Sequence, residues 1–287
     1  MKYIIKIILL SIFGIISNIA IAGWVISEVS YDKFGNKQFQ TTFIQNNMIR
    51  FETESSVAII NLKTGNITLL FGMYKLYWQG SIEEFKAGTL EVFEQKLENI
   101  VATASPEEKE VAIELIAEMR RQIHVSKNDT VVYNLNLDII KTDIKEEIAG
   151  FKAFKYDVLI EDSLVESIWI TDSINPYSDV NLESMISFTN ELKSSTTSNN
   201  IDGSSEYLNL IKKGLAVKSQ EKNPNGGYYT TVVSGVINTN INNEIFHYPP
   251  NYRKAQLAEI MLIRDENIDN YRLEQEFHNA KENSLYD

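Results

Sequence analysis

The chain has 287 residues, a formal charge of −12, 44% hydrophobic residues and no cysteine. This length and apolar content suffice for a buried core, which excludes a disordered or fibrous protein. Without cysteine there can be no disulfide scaffold, thiol catalysis, cysteine-ligated zinc or cysteine-linked lipid. The acidic balance argues against nucleic acid as a partner.

Residues 1–22 have the pattern of a secretory signal. Two lysines precede a nearly continuous apolar run at 7–19, and Ala20-Ile21-Ala22 supplies the small residues of a cleavage site. An uncleaved membrane anchor is the alternative, although it requires about 20 apolar residues. We expect cleavage near Ala22, a periplasmic or secreted mature protein, and no membrane span in the mature chain.

The stretch from 24 to 78 reads as an antiparallel meander. Apolar or alternating runs of a strand's length are broken by turn signals. These signals are Phe34-Gly35-Asn36, Asn46-Asn47 and Lys63-Thr64-Gly65-Asn66. Asn and Gly tolerate positive φ, so the chain is expected to reverse there.

A helical insert is predicted at 81–123. Ser81 and Glu84 form a capping-box pattern that opens a helix at 82–101, which Gly88 weakens. A second helix follows, with a serine cap and a proline at its first position. Both helices have an apolar side that can lie on a sheet.

Strands and helices alternate irregularly in the rest of the chain. The expected strands are 130–140, 151–161, 164–171, 214–220, 228–239 and 243–247. The expected helices are 179–192, 253–264 and 270–281, with a flexible loop at 194–205 and Pro249-Pro250 ending the sheet.

Strict alternation along the 228–239 strand assigns its two faces. It places Tyr229, Thr231, Val233 and Ile237 on one face, and Tyr228, Thr230, Val232 and Val236 on the other. Because both sets contain apolar groups, we expect both faces to be covered.

Three stretches carry a family resemblance. They are YDKFGNKQFQTTFIQNNMIRFE (31–52), NLKTGNITLLFGMYKLYWQG (61–80) and FKAFKYDVLIEDSLVESIWITD (151–172). With the exported start, they resemble an uncharacterised family of exported Gram-negative proteins related in fold to the lipoprotein carriers LolA and LolB. The resemblance implies a strongly curved antiparallel sheet, an open half-barrel, with helices covering its concave face. It implies no catalytic residue.

The predicted architecture is therefore α+β, with one main domain. Its parts are the signal peptide at 1–22, the curved antiparallel sheet domain at 23–252 with its insert at 81–123, and a helical tail at 253–287.

One possible metal site lies in the tail. Asp265, Asn267, Asp269 and Glu276 occupy positions 1, 3, 5 and 12 of a calcium-loop register. Position 6 is Asn270, where glycine is expected, and no second loop accompanies it. A polar turn that breaks a helix is the competing interpretation.

No catalytic pattern stands out elsewhere. The histidines, His124, His247 and His278, are too far apart in sequence for HExxH or HxH zinc patterns. G-x-S-x-G, GxxxxGK and GxGxxG are absent as well. We therefore expect a protein that is not an enzyme and needs no cofactor.

Two functions remain open. The first is binding of a hydrophobic or lipid-like ligand between sheet and helices. The second is an interaction module for an envelope or secreted complex, in which the C-terminal helices contact a partner protein.

Overall fold

One large sheet organises the part of the chain that the structure describes. The computed structural model describes residues 23–103, 113, 117, 137–193, 201, 204–223 and 226–262. The strands are β1 (Gly23–Tyr31), β2 (Lys37–Gln45), β3 (Met48–Thr53), β4 (Val57–Asn61), β5 (Asn66–Phe71), β6 (Leu76–Ser81), β7 (Leu137–Ile148), β8 (Phe151–Ile160), β9 (Ser163–Thr171), β10 (Leu215–Lys222), β11 (Tyr228–Thr239) and β12 (Arg253–Lys254). Their order is β12-β6-β5-β4-β3-β2-β1-β11-β10-β9-β8-β7. Only the β12–β6 pair is parallel, and the sheet does not close.

The helices of the described chain are α1 (Ile82–Thr103), α2 (Leu182–Lys193) and α3 (Ser205–Ile211). A fourth, α4, begins at residue 257 and is described as far as 262. Short 3-10 turns span Pro176–Asp179 and Asn243–Phe246. None of the helices described is long and apolar enough to span a membrane. The prediction of an α+β fold with a curved antiparallel sheet and packed helices is confirmed.

The predicted reversals occur where residues adopt positive φ. Asn46 and Asn47 have φ of 54° and 64°, and Gly65 has φ of 69°. Glu161 and Asp162, between β8 and β9, have φ of 48° and 64°. Turns of this kind match the twist of paired strands, which is why they set the register of these hairpins.

One face of the sheet, here called the helical face, packs against the helices. Register places Thr42, Phe51, Ala58, Leu69 and Trp78 in one row across β2 to β6. Ile82 and Phe85 of α1 and Phe188 of α2 contribute to the core over this face. On β8 and β9 the same face packs against Leu210 of α3.

The other face, here called the opposite face, has its own smaller core on β3 to β6. Ile59 and Leu70 lie there beneath Ile241 and Phe246, from the chain that follows β11. Gln45 holds this covering segment: its Nε2 donates to the Ile241 carbonyl at 3.0 Å, and its Oε1 accepts from the Ile241 amide at 3.0 Å. Both faces of this half of the sheet are therefore covered. The prediction that both faces are covered was made for β11 and is wrong at the ends of that strand, where Tyr228, Tyr229 and Ile237 are exposed.

The β7 end of the sheet curls. Lys218 on β10 and Glu146 on β7 are separated by two strands, yet Lys218 Nζ lies 3.0 Å from Glu146 Oε2. Three strand spacings in a flat sheet would be about 14 Å. The curl encloses Trp169, which is 5% exposed.

A β-bulge in β11 changes which residues share a face, so the predicted assignment is partly wrong. Glu28 pairs with Val233 but Ile26 pairs with Val236, so three residues of β11 oppose two of β1. The extra residue, Ser234, reverses the alternation. Val236 therefore shares a face with Val233, and not with Val232 as strict alternation predicts.

The prediction for the chain after β11 was wrong in three places. The strand predicted at 243–247 is a 3-10 turn at Asn243–Phe246, because the Asn242 side chain caps the Glu244 amide at 3.0 Å. Pro249-Pro250 does not end the sheet, since β12 follows it. The predicted helix at 253–264 begins only at 257, because the backbone at 253–254 hydrogen-bonds to β6.

Two further elements differ from prediction. Strand β7 continues to Ile148, eight residues beyond the predicted end at 140, although most of it is exposed. Helix α3 begins at the end of the predicted loop, where Ser204 Oγ accepts from the Tyr207 amide at 3.1 Å. The second helix of the insert and the predicted helix at 270–281 lie outside the described residues, apart from isolated positions of the insert.

Candidate ligand-binding cleft

One wall of a cleft at the β6 edge of the sheet is the first part of α1. The predicted capping box is present: the Glu84 amide donates to Ser81 Oγ at 3.2 Å, and the Ser81 amide donates to Glu84 Oε2 at 2.7 Å. These bonds satisfy amides that the first helical turn would leave unpaired. The direction in which α1 leaves β6 is thereby fixed.

The other wall is the segment that contains β12 and α4. The Arg253 amide donates to the Lys75 carbonyl at 2.8 Å, and the Ala255 amide donates to the Tyr77 carbonyl at 2.8 Å. These parallel-strand bonds hold the chain beside α1. Leu257 and Ile260 of α4 are 3% and 1% exposed within the main core, so the described part of the tail packs on the parent domain.

Between these walls is a cleft of about 620 Å³. Its floor includes Trp78, Ala255 and Leu257, which are buried and expose little apolar surface, so the exposed lining of the cleft is more polar than apolar. The walls approach each other closely at Gly88, where an added Cβ would lie 2.8 Å from Leu257 Cδ2 and 3.0 Å from its Cβ. Gly88 lowers the helix propensity of α1, but its lack of a side chain leaves the space that Leu257 occupies.

Charged side chains surround this floor. They are Glu84, Glu91, Glu259, Arg253 and Lys254. Arg253 Nη2 lies 2.5 Å from Glu259 Oε1. The Arg253 hydrogen bond lowers the pKa of Glu259, and the same bond raises the pKa of Arg253, so the pair stays charged. The cleft therefore combines a buried apolar floor with an ionic rim of both signs.

A second polar cluster lies on the helical face, on other elements. Tyr207 of α3 donates its hydroxyl to Glu166 Oε2 at 3.3 Å. Burial raises the pKa of Tyr207, with a further contribution from Glu166. Burial, together with the Glu28 charge, raises the pKa of Tyr177 to about 12. Burial also raises the pKa of Glu28, against the hydrogen bond from Gln40. The raised pKa values of Tyr177 and Tyr207 mean that this cluster keeps both tyrosine hydroxyls protonated.

The predicted calcium ligands are not placed by this structure. Asp265, Asn267, Asp269 and Glu276 lie outside the described residues, so the calcium loop stays a prediction. Within the described ranges, no group of three or more His, Asp or Glu side chains is positioned to hold a metal ion.

The histidine and serine side chains considered as catalytic candidates show no catalytic arrangement where the structure describes them. His247 follows the 3-10 turn and is exposed, while the other two histidines lie outside the described chain. Ser204 caps α3, and Ser234 Oγ donates to the Ser27 carbonyl at 3.1 Å. None of these contacts resembles a nucleophile held by a base.

The sequence does not predict the cleft, because its second wall depends on a strand that has no local signal. Arg253 and Lys254 were assigned to a helix, and nothing local distinguishes them as strand residues. Their pairing with β6 is a tertiary contact across more than 170 residues, and a two-residue strand has no periodicity to detect. Only Gly88 gave a signal, as a glycine inside an otherwise regular helix.

No family model and no curated protein matches the chain. Solved structures with partial likeness include PNGF-II, at 9% identity and a TM-score of 0.34, where the match covers 82% of this chain and 31% of that one. The MucA/MucB complex of Pseudomonas aeruginosa matches at 8% identity and a TM-score of 0.35, covering 81% and 57%. A DUF1329 family protein from Desulfovibrio piger matches at 8% identity and a TM-score of 0.28, covering 80% and 91%.

The chain thus spans about a third of PNGF-II and somewhat over half of the MucA/MucB match. At these identities and TM-scores, the likenesses carry no argument about ligand, activity or partner. The resemblance to the LolA and LolB carriers remains an expectation from the sequence.

Proposed function

We propose that this chain binds an apolar or lipid-like ligand in the cleft between α1 and the β12–α4 segment, by burial and without chemical reaction. The observation that carries the proposal is the cleft of about 620 Å³ over buried Trp78 and Leu257. This volume lies within the roughly 300–1,000 Å³ that ligand sites commonly enclose, and the lining is more polar than that of most such sites.

The ionic rim indicates the kind of ligand. An apolar chain would lie on the floor at Trp78 and Leu257, and a polar head group would meet Arg253, Lys254 or the carboxylates opposite. A charged head group left without a partner would be costly to bury. We therefore propose an amphipathic ligand, with its polar end at the rim.

A binding role without catalysis fits the groups around the cleft. In the described chain, the perturbed Glu28 and Tyr177 belong to the helical-face cluster and do not line the cleft. The Arg253–Glu259 pair is held charged, which suits neither partner for proton transfer near neutral pH. Location in the periplasm or outside the cell is part of the proposal and rests on the signal pattern at 1–22.

A fluorescent fatty acid, dansylated undecanoic acid, tests the proposal. Ala87 lines the cleft, so Ala87→Trp would fill it, whereas Gln95→Trp adds the same side chain at an exposed position of α1 outside the lining. We expect the unmodified chain and Gln95→Trp to bind the probe and Ala87→Trp to lose at least tenfold in affinity.

Equal probe binding by both tryptophan variants, with unchanged melting temperatures, would contradict a site in this cleft. Binding that is lost equally in both would point to a general effect on α1. A second measurement is native mass spectrometry of the purified chain, where co-purified lipid supports the proposal.

A further inference from the structure

Two neighbouring hairpins carry exposed aromatic side chains at one end of the sheet. Phe34, in the β1–β2 turn, is 79% exposed, and Phe39 on β2 is 52% exposed. Tyr228, at the start of β11, is 49% exposed. Isolated exposed apolar residues are common, but several on adjoining strands mark an interaction surface.

The two hairpins are in contact. Strand β1 pairs with both β2 and β11, so Tyr31 lies opposite Lys37 on one side and Thr230 on the other. At the turns, a Cβ added to Gly227 would lie 3.1 Å from Lys33 Cβ. The aromatic side chains therefore belong to one continuous surface.

Lysines are interleaved with these rings. Lys33 Nζ lies 5.0 Å from the Phe34 ring centroid, and Lys37 Nζ lies 5.8 Å from that of Tyr31. Lys222 pairs across the strands with Tyr228. We call this surface the aromatic–lysine patch, defined by Tyr31, Lys33, Phe34, Lys37, Phe39, Lys222 and Tyr228.

On β2, β1, β11 and β10, the strand face of this patch carries no carboxylate. The neighbouring strand β3 places Glu52 opposite Thr41, and this carboxylate is paired with Arg50 at 2.8 Å, while Lys218, farther from the hairpins, is paired with Glu146. The residues on that face of β2, β1, β11 and β10 are Lys37, Phe39 and Thr41; Ser27, Val29 and Tyr31; Tyr228, Thr230 and Val232; and Lys218, Gln220 and Lys222. The chain as a whole has 39 acidic and 27 basic residues. A locally basic, aromatic surface on an acidic protein favours an anionic partner.

The β1–β2 turn presents Phe34 rigidly. Asp32 Oδ1 accepts from the Phe34 amide at 2.8 Å and from the Asn36 amide at 2.9 Å, while Oδ2 accepts from Asn36 Nδ2 at 2.7 Å. The one carboxylate of the turn is thus used within it. Little conformational entropy remains to be lost when the turn is held at a surface.

We propose that the aromatic–lysine patch docks the protein onto the surface of an anionic phospholipid bilayer. Phe34 and Tyr228 enter the interfacial region, and Lys33 and Lys37 lie at the phosphates of the head groups. Aromatic rings favour this boundary, and lysine stems can lie along apolar groups while the ammonium stays with the anions. Phe34 projects from a turn, a shape suited to a soft surface more than to a groove of an acidic protein.

Vesicles of phosphatidylcholine with and without phosphatidylglycerol are the probe. The full chain lacks cysteine, so Gln220→Cys on the strand face of the patch and Asn238→Cys at the far end of β11 each give one site for an environment-sensitive dye. We expect the dye at 220 to shift to the blue with phosphatidylglycerol vesicles and the dye at 238 to remain unchanged. Because each dye reports its own position, membrane contact by other segments does not imitate this result.

Variants then test the residues in vesicle co-sedimentation. We expect Phe34→Ser to weaken binding about tenfold and Lys37→Gln about fivefold. Ile237→Ser is the matched control, because Ile237 is 61% exposed on the same strand as Tyr228 but at its other end. Its binding should equal that of the unmodified chain.

Three results would overturn the proposal. In the first, Phe34→Ser and Lys37→Gln bind vesicles as the control does. In the second, the dye at 220 is already shielded without vesicles and does not respond to them. In the third, soluble polyglutamate shifts the dye at 220 and phosphatidylglycerol vesicles do not, which would assign the patch to an acidic protein partner.

Discussion

Lys218 Nζ bonds Glu146 Oε2 at 3.0 Å across two intervening strands, and it also lies 4.4 Å from the ring centroid of Trp169. The lysine thus joins the curled edge of the sheet to the indole that the curl encloses. Lys155 contacts the same ring at 5.5 Å and pairs with Asp157 at 2.8 Å. The curled end is held by ionic and cation–π contacts as well as by apolar packing.

These contacts predict that replacing Lys218 lowers the stability more than replacing Glu146 does. Lys218→Met should lower the free energy of unfolding by about 1 kcal/mol, chiefly through the lost contact with Trp169. Glu146→Gln should cost about 0.5 kcal/mol or less, because the Glu146 side chain is 42% exposed and solvent screens the pair. Urea unfolding followed by far-UV circular dichroism measures both. A larger loss for Glu146→Gln would contradict this division.

The capping box of α1 yields a second prediction. Ser81→Ala removes the acceptor of the Glu84 amide, so we expect a loss of about 1 kcal/mol in the free energy of unfolding. Ser55→Ala, in the exposed β3–β4 turn, is the control and should change stability little. If the two serine variants melt at the same temperature, the capping bond contributes nothing measurable.

A third prediction concerns the close approach of Gly88 to Leu257. Alanine in place of a helical glycine normally stabilises by about 1 kcal/mol. Here the new Cβ would overlap Leu257, which costs about 1–3 kcal/mol, so Gly88→Ala should be net destabilising. In a Leu257→Ala background the contacts with Cδ2 and Cγ are gone and only the Cβ at 3.0 Å remains, so the same substitution should cost clearly less. Urea unfolding of the four chains tests this dependence on the Leu257 side chain, and an equal cost in both backgrounds would contradict it.

A fourth prediction follows from the buried Tyr177. In the unfolded chain this phenol ionises from about pH 10, whereas the folded protein holds its proton up to about pH 12. The free energy of unfolding should therefore fall as the pH rises through this window. Tyr177→Phe should make that fall shallower without abolishing it, because burial also raises the pKa of Tyr207, and Tyr229→Phe, on an exposed ring, should leave the fall unchanged. Urea unfolding from about pH 9 to about pH 11 provides the comparison.

Local signals in the sequence predicted much of the meander and the start of α1. Asn46-Asn47 and Gly65 lie at reversals because Asn and Gly adopt positive φ at little cost, so the residue types themselves indicate these turns. Ser81 and Glu84 lie three residues apart, so their mutual capping is also a local property. Such features need no knowledge of the rest of the chain.

The errors arose where distant contacts decide the structure. β12 exists because Arg253 and Lys254 meet β6, and the Ser234 bulge exists within the pairing of β1 and β11. Strand β7 continues through a polar stretch, with Thr142 Oγ1 donating to the Lys155 carbonyl at 3.2 Å. The cleft depends on the first of these contacts, so its position could not be read from periodicity.

The proposed binding of an apolar or lipid-like ligand between α1 and the β12–α4 segment can be tested by photolabelling with a diazirine analogue of palmitate, followed by peptide mapping. We predict labelling concentrated at 84–91 and 253–259, and competed away by unlabelled palmitate. Competable labelling confined to peptides elsewhere in the chain, with these two segments unlabelled, would contradict the claim.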